Sequence, residues 1–236
     1  MPVQTVLAVG AHPDDVELSC GGTLARYRRA GARVHIASFT TGDKGSRDLS
    51  AAETVRVRRR EAEAAAARLE ATYTCLEQSD SELFETPQTR RRTIELLRAV
   101  QPDVVLTHAP NDYHADHQAA AQLVCHAAYS AGSFKYATES PPLKAVPALY
   151  YMDTLLGVDF LPEEYVDITD VIEVKKALLE EHASQVAHLK ARGGDDILED
   201  MLILARLRGR QCGAAYGEGF RRFRAAGSLG AERLLP

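Results

Sequence analysis

The sequence predicts an α/β fold, a Rossmann-like three-layer sandwich with a mostly parallel central sheet. Short apolar runs rich in β-branched residues alternate along the chain with helical patterns, and parallel strands need such helical crossovers. Glycine, proline and polar residues separate these runs, as expected of turns. At 236 residues the chain can build a full hydrophobic core, so we expect one domain over residues 1–236.

Five short apolar segments predict the strands. The first covers residues 3–10, consists mainly of β-branched and apolar residues, and ends at a glycine, which is typical of a buried strand. Pro141 and Pro147 indicate a loop before the last segment. The remaining four predicted strands cover residues 33–39, 72–76, 104–107 and 148–153.

Helical periodicity and helix-end signals predict the segments between the strands. A helix over residues 16–30 stops at Gly31. An alanine-rich helix over 50–70 starts with Ser50 and Glu53 spaced as a capping box. The further predicted helices cover residues 87–100, 117–131, 170–190 and 196–210, with a flexible Gly193-Gly194 between the last two.

The composition argues against several classes of protein. A net charge of −5 disfavours nucleic acid or an anionic membrane as the main partner. The four cysteines are widely spaced and form no Cys-x-x-Cys, so neither structural zinc nor thioredoxin-like chemistry is indicated. No apolar run approaches ~18 residues, and no basic and apolar leader precedes the first strand. We therefore expect a cytoplasmic protein without a membrane span.

An imidazole and two carboxylates follow the first predicted strand, in the segment Ala-His-Pro-Asp-Asp. Asp14 and Asp15 would repel each other unless they shared a proton or a cation. Pro13 stiffens the turn and biases His12 towards an extended conformation. Open α/β sheets bind ligands at the carboxyl ends of their strands, so this turn is half of a predicted metal site. The alternative is an Asp-rich loop that caps the following helix.

A second cluster follows the predicted strand over 104–107. His114, Asp116 and His117 come at the start of a helix, where the two histidines face one way and negative charge is favourable. In a Rossmann-like order the first and fourth strands are neighbours, so the two clusters should meet. His108 and Tyr113 lie nearby, and their positions alone do not assign them a role.

Two histidines and one carboxylate with open positions suit a catalytic Zn²⁺, and the same donors suit Fe²⁺. We expect His12, Asp15 and His117 to be the metal ligands. Asp14 would then remain free to take a proton from a water that the metal acidifies. We expect His114 to stabilise an oxyanion, with Asp116 orienting it and raising its pKa.

Three motifs carry a resemblance to a known family. Residues 11–17 with Gly21-Gly22-Thr23, the His-Ala-Asp-His of residues 114–117 and the segment 215–220 resemble motifs of the PIG-L/LmbE-like de-N-acetylases. Ala115 departs from the usual proline and removes no functional group. The resemblance implies a Rossmann-like fold and a zinc-dependent hydrolase that releases acetate from N-acetylglucosamine-type substrates. It also implies the same roles for the ligands and for Asp14, His114 and Asp116.

The resemblance extends to residues that would bind substrate. Arg58 and Glu61 match an Arg-x-x-Glu pattern, so Arg58 is expected to anchor an acidic substrate group; the alternative is an exposed helix arginine. Lys144 matches a basic residue near the site entrance of some relatives. Substrate choice is expected to depend on loops around 40–50, 77–86 and 132–147. Relatives are often hexameric, which implies a homo-oligomer, hexamer or trimer.

The substrate is left open among several classes. Within the family, the length and the missing leader look most like those of the bacillithiol-pathway deacetylases that act on a glucosaminyl malate, but mycothiol-pathway, antibiotic-tailoring and chitobiose deacetylases share the motifs. Hydrolysis of another small amide, ester or phosphoester is an alternative, although a phosphoesterase would favour two metals and more carboxylates. A non-catalytic binding module would need neither Asp14 nor His114. A serine hydrolase is disfavoured because no G-x-S-x-G occurs.

Overall fold

The computed structural model describes residues 3–193, 196–224 and 235. Within them the strands are β1 (Thr5–Gly10), β2 (Arg33–Thr40), β3 (Thr72–Gln78), β4 (Val104–Thr107), β5 (Ala148–Met152), β6 (Glu164–Asp167) and β7 (Gly217–Arg222). They form one sheet in the order β3-β2-β1-β4-β5-β7-β6. β1 to β5 pair in parallel, whereas β7 pairs antiparallel with both β5 and β6. The predicted fold class, a mostly parallel Rossmann-like sheet, is confirmed.

Helices cover both faces of this sheet. They are α1 (Asp15–Arg29), α2 (Ala51–Arg68), α3 (Pro87–Val100), α4 (Ala115–Ser130), α5 (Ile172–Glu180), α6 (Ala183–Gly193) and α7 (Ile197–Cys212). Side chains of α1, α2, α5 and α7 join the apolar cluster on one face, and those of α3 and α4 join the cluster on the other. In the described part of the chain, none of the helices combines the length and the apolar character needed to cross a bilayer.

The central strand β1 is buried on both faces. Val6 and Ala8 pack into one apolar cluster, and Leu7 and Val9 pack into the other. All six residues of β1 are buried, which explains why the segment is almost continuously apolar instead of alternating. The strand is therefore fixed between two cores, and the turn that follows it begins from a rigid point.

Most element boundaries agree with those that the sequence predicts. The helix over 87–100 and the strand over 104–107 match to the residue, and Ser50 and Glu53 form the predicted capping box. The predicted helix over 170–190 is instead two helices, because the chain turns at His182, which is fully buried and approaches Glu17 to 3.4 Å. Helix α6 ends at Gly193, and Gly194 lies outside the described residues.

Strands β6 and β7 are missing from the sequence prediction. β7 reads Gly-Glu-Gly-Phe-Arg-Arg, and neither its glycines nor its charges favour a strand. Gly219 is needed for a close approach, because a Cβ there would meet Pro162 at 2.6 Å. Glu218 is only 4 % exposed, so its carboxylate needs partners inside the protein. Tertiary contacts, not local preference, make this segment a strand.

Glu218 ties β7 to the helix that follows the first strand. Helix α1 is kinked at Cys20, where φ is −142° and ψ is 15°, and the kink exposes backbone N–H groups of the next turn. The Glu218 carboxylate accepts hydrogen bonds from the Gly22 N–H (2.9 Å) and the Thr23 N–H (2.7 Å). The buried ammonium of Lys175 pairs with the same carboxylate. One buried side chain therefore caps the second half of α1 and neutralises a lysine.

We predict that Glu218→Ala lowers the free energy of unfolding by about 3–5 kcal/mol, because it leaves Lys175 buried without its counter-ion. The two freed N–H groups add to this loss. Denaturant unfolding measures the change. The control is Glu180→Ala, which removes an exposed carboxylate 4.0 Å from Lys176 and should change stability by less than about 0.5 kcal/mol. Equal losses in both variants would contradict the assigned role of Glu218.

Candidate metal centre and active site

The two predicted clusters meet at the carboxyl edge of the sheet. β1 and β4 are hydrogen-bonded neighbours, with Val9 opposite Thr107, so the segments that follow them start side by side. His12 lies in the turn after β1, and His117 lies in the first turn of α4. The site is thus built from a stiff turn and a helix start, each anchored by a fully buried strand.

The three predicted metal ligands face one another. The ligand atoms of His12, Asp15 and His117 all lie within 4.8 Å of one another. Asp15 is central: its Oδ2 is 3.3 Å from His12 Nδ1, and its Oδ1 is 3.4 Å from His117 Nε2. Two imidazole nitrogens and a carboxylate that converge in this way are a donor set for Zn²⁺ or Fe²⁺.

A second layer of carboxylates contacts the outer nitrogens of the same imidazoles. Asp116 Oδ2 is 3.1 Å from His12 Nε2, and Asp112 Oδ2 is 3.1 Å from His117 Nδ1. Metal-bound histidines characteristically have such a carboxylate on the second nitrogen, where it fixes ring orientation. The arrangement fits a metal ion between His12 Nδ1, His117 Nε2 and Asp15. Asp112 has no role in the sequence prediction, although it lies between the strand and the second motif.

Electrostatics favour positive charge at this place. Burial lowers the pKa of His12, but Asp15 and Asp116 outweigh it and raise that pKa to about 10. Burial also lowers the pKa of His117, but Asp15 and Asp112 raise it to about 9. Burial raises the pKa of Asp15, yet the neighbouring histidines bring it well below its usual value. The negative potential that holds these protons also attracts a metal cation, which would displace them on binding.

Asp14 stands apart from the three converging donors. Its φ of 123° and ψ of −26° lie in a region that non-glycine residues rarely adopt, at a cost on the order of 1–3 kcal/mol. Its side chain makes no capping hydrogen bond to α1, although it occupies the N-cap position. The alternative that Asp14 serves as a helix cap is therefore not met. Burial raises the pKa of Asp14, and the Arg58 guanidinium opposes this rise.

Arg58 is a buried residue of α2. Only 3 % of it is exposed, so the alternative of an exposed helix arginine is wrong. Its Nη2 is 3.0 Å from Asp14 Oδ1 and also donates a hydrogen bond to the Pro13 carbonyl. Glu61, the other half of the Arg-x-x-Glu pattern, accepts hydrogen bonds from the backbone and hydroxyl of Ser184. A contact between Arg58 and substrate stays a prediction.

The expected relation between Asp116 and His114 differs in the structure. The Asp116 carboxylate contacts His12 and accepts the N–H groups of Ser81 and Leu83, so it does not orient His114. Instead, His114 Nδ1 accepts the backbone N–H of Asp116 at 3.2 Å. Burial and the nearby His12 and His117 lower the pKa of His114, the opposite of the expected rise. With Nδ1 as an acceptor, neutral His114 carries its proton on Nε2 and remains a hydrogen-bond donor.

His108 belongs to the site although its sequence position alone does not reveal a role. It is buried and stacks on His117 with the ring centroids 3.9 Å apart. Its Nε2 accepts the Ala11 N–H and lies 3.0 Å from Asp15 Oδ2. The only sequence signal is its position directly after β4. Tyr113 is 67 % exposed, and its ring centroid lies 6.3 Å from that of His117, so it borders the open side.

Two of the three loops expected to choose the substrate lie at this edge of the sheet. The loops around 40–50 and 77–86 follow β2 and β3, and Ser81 in the second donates its N–H to Asp116. The segment 132–147 instead leads into β5, whose first residue pairs with the first residue of β4. This segment and its Lys144 therefore lie at the amino edge of the sheet, away from the site. The expectation that Lys144 borders the site entrance is not met.

The segment that follows β5, and not the one that precedes it, lies at the same edge of the sheet as the site. Residues 153–163 follow β5 at the carboxyl edge, and the Asp159 carbonyl accepts a 2.5 Å hydrogen bond from Asn111 Nδ2, in the loop after β4. Leu156 and Leu161 in this segment are 46 % and 82 % exposed. The expectation for 132–147 came from the resemblance, whereas the direction of the chain places a segment that precedes a parallel strand at the amino edge.

Comparison with known proteins connects this geometry to a family. A sequence-family model described as PIG-L, GlcNAc-PI de-N-acetylase, matches residues 7–128, which include both clusters. The chain is 28 % identical to the diacetylchitobiose deacetylase of Thermococcus kodakarensis, over 93 % of this chain and 83 % of that one. It is 27 % identical to the 4-oxalmesaconate hydratase of Pseudomonas putida, over 78 % of this chain and 75 % of that one.

A solved structure agrees with the first of these relatives. The N,N'-diacetylchitobiose deacetylase from Pyrococcus horikoshii, complexed with an inhibitor, superposes with a TM-score of 0.81 at 28 % identity. The match covers 94 % of this chain and 84 % of that one. The likeness therefore extends beyond the two motifs to nearly the whole described fold.

Proposed function

The chain belongs to the PIG-L family of GlcNAc-PI de-N-acetylases, and from its site we propose that it is a metal-dependent hydrolase that deacetylates an N-acetylglucosamine-type conjugate. One observation carries the proposal. His12, Asp15 and His117 converge as a donor set, while the neighbouring Asp14 carboxylate is left out of it. Metal-dependent amide hydrolysis uses this combination, in which some groups bind the metal and another moves a proton.

His12, Asp15 and His117 would hold the metal, with Asp116 and Asp112 fixing the two imidazoles. Zn²⁺ is the proposed ion, and Fe²⁺ suits the same donors. When bound, the metal supplies Lewis acidity for the attacking water and for the amide carbonyl. A set of three protein donors is typical of catalytic zinc sites, whereas structural zinc sites have four protein ligands, most of them usually cysteines.

Asp14 is the proposed general base. It would accept a proton from the attacking water as the water oxygen bonds to the acetyl carbonyl carbon. The same proton would pass to the amine nitrogen as the C–N bond breaks, which gives acetate and a free amine. Burial raises the pKa of Asp14, and this brings its carboxylate closer to the basicity that such a proton transfer needs.

His114 is the proposed oxyanion donor. Its Nδ1 is occupied by the Asp116 N–H, so the Nε2–H is the group left to donate. A neutral imidazole that is already oriented in this way can stabilise the negative charge that develops on the carbonyl oxygen. The lowered pKa of His114 is compatible with this role, since a neutral ring keeps its Nε2 proton.

The hydratase relative indicates a second candidate. A water molecule activated at the same site could add to a carbon–carbon double bond of an unsaturated polycarboxylate, because that relative is a 4-oxalmesaconate hydratase. The two candidates share the metal ligands and differ in product. Deacetylation releases acetate, whereas hydration releases nothing and removes the absorbance of a conjugated double bond.

We predict that the zinc-loaded protein releases acetate from a panel of N-acetylated amino sugars that includes neutral chitobiose-type and acidic malate-type conjugates. Treatment with a chelator should abolish release, and added Zn²⁺ should restore it. A coupled acetate assay measures the rate. Loss of ultraviolet absorbance from 4-oxalmesaconate, without acetate release from any sugar, would favour the hydratase alternative.

We predict that His12→Ala and His117→Ala each lose most of their bound metal, because each removes one of three protein donors. Atomic emission spectrometry on the purified proteins gives the metal content per chain. His126→Ala is the matched control, since this histidine lies on the same helix as His117 and pairs with Glu85 at the surface. Full metal content in both site variants would contradict the ligand assignment.

We predict that Asp14→Asn keeps its metal but lowers kcat by about 100- to 10,000-fold, the usual contribution of a positioned general base. The amide is similar in size to the carboxylate and cannot accept the proton. Asp170→Asn, which changes an exposed carboxylate paired with Arg26 and Arg29, serves as the control and should keep wild-type kcat. Wild-type turnover in Asp14→Asn would remove Asp14 from the mechanism.

A further inference from the structure

We infer that Arg58 is a positioning residue for Asp14: its guanidinium binds the Pro13 carbonyl and the Asp14 carboxylate together and so holds Asp14 in its strained conformation. The inference rests on the proposed function, in which Asp14 is the general base. It differs from the expectation that Arg58 anchors an acidic group of the substrate. Arg58 would act through Asp14 and would not itself touch the reacting atoms.

The first observation is that one nitrogen makes both contacts. Arg58 Nη2 donates a hydrogen bond to the Pro13 carbonyl and lies 3.0 Å from Asp14 Oδ1. These two acceptors flank the Pro13–Asp14 peptide and the φ torsion of Asp14, whose value is 123°. A donor that binds both acceptors fixes the side chain relative to the backbone, and a conformation this rare persists only where its surroundings impose it.

The second observation is that helix α1 does not hold the Asp14 side chain. Asp14 is the N-cap residue of α1, where a carboxylate ordinarily accepts an N–H of the first turn, but it makes no such bond. Within the residues that the structure describes, its ion pair is with Arg58. Arg58 holds Oδ1, which leaves Oδ2 for proton transfer. Orientation of the base therefore depends on α2 and not on the helix that follows Asp14.

The third observation is that the guanidinium is enclosed by protein. A Cβ at Gly42 would come within 2.6 Å of it, and a Cβ at Gly45 within 2.9 Å, so the loop after β2 packs directly against it. Asp80 Oδ2 lies 4.0 Å from Nη1, on the loop after β3. The Arg58 side chain is 4 % exposed and faces two carboxylates, so little of its charge or surface is left for a substrate anion.

The experiment compares Arg58→Met with Arg59→Met. Arg59 is the next residue of α2, and its exposed side chain pairs with Glu77 at the surface, so it is a matched control. For the zinc-loaded enzyme, we expect Arg58→Met to lower kcat by about 100-fold, the scale of a misplaced catalytic group, with KM changed less than about threefold. The loss should be equal for neutral and acidic N-acetyl sugars. Arg59→Met should retain wild-type values, and both variants should retain their metal.

A second readout needs no activity. Hydrogen–deuterium exchange of the metal-free protein should become faster over residues 11–18 in Arg58→Met, because the Asp14 carbonyl accepts the Leu18 N–H and the turn would relax. Arg59→Met should leave this exchange unchanged. Arg58→Lys keeps the charge but offers no planar fork, so it should fall between wild type and Arg58→Met, and it takes the place of Arg58→Met if that variant does not fold.

A double-mutant cycle separates this role from the others. If Arg58 acts through Asp14, adding Arg58→Met to Asp14→Asn should lower the residual rate by less than about threefold. A full additional loss would overturn the inference, as would a rise in KM confined to acidic substrates, which would identify a substrate anchor. Wild-type turnover in Asp14→Asn would instead remove the proposed base. An inactive Asp14→Asn beside a fully active Arg58→Met would overturn this inference alone.

Discussion

The parallel pairing of β1 with β4 is the constraint on which the site depends. Each strand is buried on both faces, so neither can slide or tilt without disturbing two apolar clusters. Their fixed register brings the turn after β1 and the start of α4 together, although the two segments are far apart in the chain. The proposed metal site depends on this contact, because neither segment alone contains all three of its donors.

The site contains several groups that lower the stability of the folded protein. Two adjacent carboxylates, four neighbouring histidines and a residue at φ 123° lie within a small volume at the end of the sheet. Buried charges and a strained backbone each oppose folding. They persist because the surrounding sheet, α2 and the loop after β3 hold them from several sides. Burial of apolar side chains in the core therefore offsets the free-energy cost of the charged and strained groups at the site.

The sequence alone was sufficient for the fold class and for the meeting of His12, Asp15 and His117, because apolar periodicity and strand order are local signals with long-range consequences. It was insufficient for contacts set by tertiary packing. The Glu-containing strand β7 has no strand propensity, and His108 shows its role only through stacking on His117. Lys144 was assigned to the wrong edge because that expectation came from the resemblance alone, whereas in a parallel sheet the segment that precedes a strand lies at the amino edge. Asp116 was assigned to His114 because the two are close in sequence, whereas its carboxylate faces His12 across the site.

The hydrogen bonds between Glu218 and the kinked first helix join segments near the two ends of the described chain. The acceptor of the Gly22 N–H is 196 residues further along the chain, so this contact closes a very long loop and carries the entropic cost of that closure. Helix α1 also begins with Asp15, a proposed metal ligand, so the helix that carries this carboxylate has its second half capped only when β7 occupies its place in the sheet.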